Sequence, residues 1–149
     1  MMRFLTLALL LAAVPLNASA QVTYQAAPRG TRVLERGALS IKVLVEAANL
    51  GGAEVEVGEV TFPADGSPAR AHRHGAVEIF YVLEGELGHV VNGVEHRLTR
   101  GMVGIVRPGD EVSHRVLSPD PVKALVIWAP GGEVARIAPG FEQKPVGSN

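Results

Sequence analysis

The sequence predicts an all-β single domain, a sandwich or barrel, on three observations. Short apolar runs with period-two alternation recur along the chain, which marks half-buried strands. Gly (17) and Pro (10) punctuate almost every junction between those runs, and aromatic residues make up only 5%. No stretch carries a helical period, and 149 residues accommodate one ordinary domain rather than two.

The first element is an address. Arg3 precedes an apolar run over 4–14, and Ala18-Ser19-Ala20 supplies a small-x-small cleavage site. This predicts a signal peptide over 1–20, cleaved after Ala20, because the run is too short to span a hydrocarbon core of roughly 30 Å. Loss of Arg3 takes the formal charge from -1 to about -2. The expected product is exported, periplasmic or secreted, with no membrane attachment after cleavage. Residues 21–38 read as an N-terminal arm able to exchange between two subunits. The absence of cysteine excludes disulfides, thiolate metal ligands, cysteine nucleophiles and a lipobox anchor. Near-neutral charge gives no reason to expect nucleic acid as a partner.

Residues 39–130 carry the barrel. Strands are predicted at 41–45, 54–57, 60–62, 78–83, 87–91, 94–98, 102–106, 114–117 and 122–128. Asn92-Gly93 between two of them is a strong hairpin signal. Residues 131–149 read as a C-terminal strand and polar tail, with 141–149 polar enough to fray.

His72, His74 and Glu78 are the chemical centre of the sequence. Histidines at i and i+2 of a strand share a face, and Glu78 matches their parity if the intervening segment stays extended. A carboxylate opening an apolar strand is hard to explain as packing, because a buried ionised group needs a partner. Two imidazoles and one carboxylate suit Fe, Mn, Zn or Ni and leave positions open for substrate. His114, at the start of a later strand, is the natural fourth ligand. His89 and His96 flank the hairpin and read as solvated, as do Asp110 and Glu111 in their loop. Arg73 and Arg115 neighbour ligands in sequence and should point away from the metal. Core packing is the default role of Phe80, Val82 and Trp128, and lining the substrate pocket is the alternative.

Gly66-x5-His72-x-His74-x3-Glu78-x6-Gly85 matches the first motif of the cupin superfamily at every defined position. Gly101 and His114 resemble the ends of the second motif, in a segment two residues longer than its pattern. There Arg107 stands where Pro is expected, Pro108 follows, and Ser118 replaces Asn. On these residues the chain resembles a small single-domain cupin over roughly 39–128. The resemblance implies a double-stranded β-helix, a jelly-roll-like barrel, with one divalent transition metal ion (Fe, Mn, Ni, Cu or Zn) in its mouth. The ligands it implies are His72, His74, Glu78 and His114. Three His and one Glu are similar to the set of quercetin-type dioxygenases and oxalate-handling manganese enzymes. The resemblance implies dioxygenase-like oxidoreductase chemistry on a small molecule, with Glu78 as the catalytic residue accepting a substrate proton, and a homodimer. The alternatives are a non-catalytic periplasmic cupin that binds a small acid or sugar, and a metal-dependent isomerase, decarboxylase or lyase.

Overall fold

The computed structural model describes residues 29–65 and 69–147. The expected signal peptide, residues 21–28 of the arm and the motif glycine Gly66 lie outside the described residues. Eleven strands follow in chain order: β1 (Arg32–Arg36), β2 (Leu39–Val45), β3 (Glu56–Phe62), β4 (His72–Arg73), β5 (Val77–Glu84) and β6 (Glu86–Val91), then β7 (Val94–Thr99), β8 (Val103–Val106), β9 (Glu111–Val116), β10 (Val122–Ala129) and β11 (Glu142–Pro145). They form a seven-stranded sheet in the order β11-β1-β2-β3-β10-β5-β8 and a four-stranded sheet in the order β4-β9-β6-β7. Every strand pairing is antiparallel. No helix among the described residues is long and apolar enough to cross a membrane.

Alternation places the core. Along β3 and β10 every second residue is buried, and the two strands pair from Val122↔Phe62 to Trp128↔Glu56. Their inner residues Val60, Phe62, Val122, Ala124 and Val126 pack with Phe80 and Val82 of β5, and with Leu87 and Leu98 of the smaller sheet. Each buried Val or Leu contributes about 1.5–3 kcal/mol of transfer energy. The Asn92-Gly93 hairpin forms as expected, with φ of 49° and 80° at its two residues, the left-handed pair of a type I′ turn.

The sheet extends beyond the predicted barrel. The described part of the arm is β1, which folds back on β2 of its own chain (Arg32↔Val43 to Arg36↔Leu39). Residues 142–145 do not fray but form β11 along β1, held by Lys144 on Glu35 at 2.6 Å and Arg32 on Gln143 at 2.9 Å. An exposed edge strand buries neither face, so it leaves no alternation to read. Two helices, α1 (Ala47–Leu50) and α2 (Glu133–Ile137), are too short to show a helical period.

Gly104 on the inner face of β8 is a space-making residue. A methyl group there would lie 2.7 Å from Leu98 Cδ1 and 2.9 Å from His89 Nε2. Gly104→Ala is therefore expected to cost about 1–3 kcal/mol by overpacking, read as a lowered midpoint in guanidinium unfolding without a change in slope.

Candidate metal centre in the barrel cavity

His72, His74, Glu78 and His114 all line one cavity of about 420 Å³, walled by Phe62, Phe80, Val126 and Trp128. Their route there differs from the one the parity argument assumed. The chain bends at Gly75 and Ala76, so the segment from His74 to Glu78 is not extended. His72 belongs to the four-stranded sheet and Glu78 to the seven-stranded one. They meet because the bend carries the chain from one sheet to the other across the cavity.

Glu78 is 1% exposed. Its cross-strand neighbour Trp128 donates Nε1–H to Glu78 Oε2 at 2.9 Å. His74 Nε2 lies 2.8 Å from the same oxygen but is not aligned as a hydrogen bond, and Glu78 Oε1 has no partner. Two donors on adjacent positions of one ion, with bonds of about 2.1 Å, stand about 3 Å apart, so the His74–Glu78 spacing suits an ion. The His72 and His74 rings are 4.8 Å apart between centroids, which also suits adjacent ligands.

The far nitrogens of both rings meet oxygen atoms. His72 Nδ1–H donates to the Arg70 carbonyl at 2.9 Å, which leaves the Nε2 lone pair free. His74 Nδ1 lies 3.2 Å from Glu133 Oε2, a carboxylate–histidine pair of the kind that orients ligands. These orphaned donors fit a divalent metal held by His72, His74 and Glu78. His114 is placed differently. Its Nε2 is 3.0 Å from His89 Nδ1, and its ring is 6.4 Å from that of His72. Among the described residues no three His, Asp or Glu side chains are already gathered as a ready cage.

His89 corrects the sequence reading. It is 2% exposed rather than solvated, because β6 lies between β9 and β7 and registers His89 directly opposite His114. His96, across from it on the edge strand β7, is exposed as expected. Phe80 and Trp128 line the cavity, whereas Val82 is fully buried core and does not. Arg73 and Arg115 point outward, onto Glu111 and Glu95. Asp110 accepts from Asn92 and the Arg107 amide in its turn.

Glu133 carried no signal in the sequence, yet it is 4% exposed and anchors the site. It accepts from the amides of Gly75 and Ala76 at 2.6 and 3.2 Å, and pairs with Arg136 at 2.6 Å. A lone Glu after Gly-Gly shows no pattern, and only the return of the chain to the His74 bend reveals it.

Burial alone would pull His74 down, but contact with the carboxylates of Glu78 and Glu133 outweighs it and holds its pKa above 6.5. His114 is pushed well below 6.5 by burial and by its neighbours His89, His72 and His74, and burial also lowers His89. Burial would raise Glu133, but Arg136, His74 and the Gly75 amide outweigh it and hold it low. The raised His74 contributes stability that is full below its unfolded pKa and lost as pH rises through the folded one. The depressed Glu133 contributes stability that is present above its unfolded pKa and lost as pH falls through the folded one. In metal-free protein, NMR titration should therefore place the His74 midpoint above 6.5 and those of His89 and His114 below it. Glu133→Gln should move the His74 midpoint down, and Glu133→Ala should cost about 3 kcal/mol by stranding its buried partners. An unmoved His74 midpoint would refute the pairing.

A family model described as a cupin domain matches residues 54–128. No curated relative matches the chain. Among solved structures, it is similar to an RmlC-like cupin from Shewanella frigidimarina, at 22% identity and a TM-score of 0.60 over 74% of this chain and 94% of that one. It is similar to a protein described as a predicted oxalate decarboxylase from Thermotoga maritima, at 19% identity and a TM-score of 0.60, over 72% and 99% of the two chains. KdgF from Halomonas sp. follows the same fold at 17% identity and a TM-score of 0.58, over 68% and 91%. With the family match spanning half of the sequence and the barrel closing around the motif histidines, the chain belongs to the cupin family.

Proposed function

We propose that this cupin is an exported metal-dependent enzyme that acts on a small molecule, with dioxygenase-like oxidoreductase chemistry favoured. The observation that supports it is the meeting of His72, His74 and Glu78 at one cavity, with His74 Nε2 against the Glu78 carboxylate at 2.8 Å and Glu78 Oε1 buried without a hydrogen-bond partner. A divalent ion bound there would supply Lewis-acid or one-electron chemistry at open positions. The chain's own residues do the rest. Trp128 fixes one carboxylate oxygen of Glu78, leaving Oε1 to accept a proton from substrate. Phe62, Phe80 and Val126 exclude water and strengthen the local electrostatics. The Arg70 carbonyl and Glu133 hold the rings of His72 and His74.

His114 joins the ligand set by giving up its contact with His89. A decarboxylase reading of the same site has support in the name of the Thermotoga maritima neighbour. A homodimer is part of the proposal, supported by the open β8 edge, whose outward Val103 and Ile105 are 50% and 57% exposed.

Metal content by mass spectrometry, on protein purified without a histidine tag, is the deciding measurement. About one equivalent of a transition metal is expected. His74→Ala and Glu78→Ala should abolish uptake, and His114→Ala should weaken affinity roughly tenfold or more. Unchanged affinity in His114→Ala would remove it from the ligand set, and no uptake on reconstitution would overturn the metal reading. Iron or manganese would direct the activity assay to O₂ uptake. For export and assembly, the mature N-terminus should be Gln21 and light scattering should read a dimer. An intact Met1 or a monomer would refute the corresponding part.

A further inference from the structure

The charge around the cavity is one-sided. Three arginines line it, Arg36 at the end of β1, Arg70 just before β4, and Arg136 on α2, against one acidic residue, Glu78. Arg136 is occupied, paired with Glu133 and donating to the Arg73 carbonyl at 2.8 Å. Arg36 and Arg70 form no ion pair with any acid among the described residues. Asp65 is the one carboxylate in the adjoining outer recess, which Arg36 and Arg70 also line.

Both arginines are tied to the architecture. The Arg36 guanidinium lies 4.6 Å over the Phe141 ring, a cation–π contact that holds it at the mouth. The Arg70 carbonyl accepts from His72, so the arginine sits two residues from a ligand position. Between the arginines and the His74–Glu78 floor the wall is apolar, formed by Leu39, Ile41, Phe62 and Val126. A cationic rim, an apolar wall and a polar floor match a molecule with one anionic end, an apolar body and a reacting end.

We propose that Arg36 and Arg70 form a carboxylate-binding pair at the cavity mouth, and that the substrate class is a small carboxylic acid with an apolar body. The planar forks of the two guanidiniums suit the two oxygens of a carboxylate, and a cavity of about 420 Å³ is of small-molecule scale. This deepens the metal-centre reading and rests on it for the reacting end of the substrate.

The test compares phenylacetate with its neutral isostere phenylacetamide, binding metal-free protein, with quenching of Trp128 as the readout. Trp128 is the chain's single tryptophan and lines the cavity. Phenylacetate should bind about tenfold tighter than the amide, and the gap should narrow with rising salt and close in the double variant R36Q/R70Q. Equal binding of the two probes, or a preference that survives in the double variant, would overturn the proposal. If the double variant unfolds, R70Q alone, at an exposed side chain, reads the same gap and decides by the same criterion. Zinc uptake is measured in parallel. An arginine-dependent preference without zinc uptake would support this proposal while the metal reading fell. Zinc uptake without any preference would overturn this proposal alone.

Discussion

Glu78 is 1% exposed inside an apolar barrel, where an ionised carboxylate costs several kcal/mol unless it finds partners. Much of the local structure answers that demand. Trp128 sits directly across the ladder and donates to one oxygen, and His74 crosses from the facing sheet to the same atom. His74 is held in turn by Glu133, whose position depends on α2 returning the chain to the bend at Gly75 and Ala76. The other oxygen of Glu78 is left over. A buried polar atom without a partner is a cost that folding alone does not explain, and it gives the site its chemical direction.

The histidines divide into two pairs with different surroundings. His72 and His74 each present one nitrogen to a backbone or carboxylate oxygen, and this leaves the other for the cavity. His89 and His114 face each other, and Gly104 makes the space that His89 needs. Burial favours the neutral form of this second pair, while the carboxylates beside His74 favour its protonated form. Metal ligation requires neutral imidazoles, so it would compete with protonation of His74 and with the His89 contact for His114. Metal affinity at such a centre would thus depend on pH through His74.

The mouth of the cavity obeys a different physics from its floor. Glu133 and Glu78 are buried against His74, Trp128 and Arg136, whereas Arg36 and Arg70 lie at an exposed rim where water screens charge. Interactions at the rim contribute to selection and encounter, and those on the floor to geometry and reactivity. Pairing Arg136 with Glu133 separates the two zones, because it removes one guanidinium from the rim and spends it on the clamp behind His74.

The sequence by itself determined what short-range order can carry. Short apolar runs and turn spacing marked β2, β3, β5, β6, β7, β8, β9 and β10 as strands, Asn92-Gly93 marked the hairpin, and the spacing from His72 to Glu78 marked residues that meet at the cavity. It placed His72, His74 and Glu78 together by way of an extended segment, whereas they line one cavity across a bend, since spacing records which residues travel together and not the path between them. Tertiary structure decided the rest. His89 reads like His96 along the chain and differs from it only because β6 is central and β7 is an edge. Val82 shares the parity of Glu78 and Phe80, yet it faces core rather than cavity. β11 forms along β1, which pairs on its other side with β2, and Glu133 matters because α2 returns to His74. Burial and partnership are properties of strand order and chain return, which depend on contacts between residues far apart in sequence, and no local pattern encodes them.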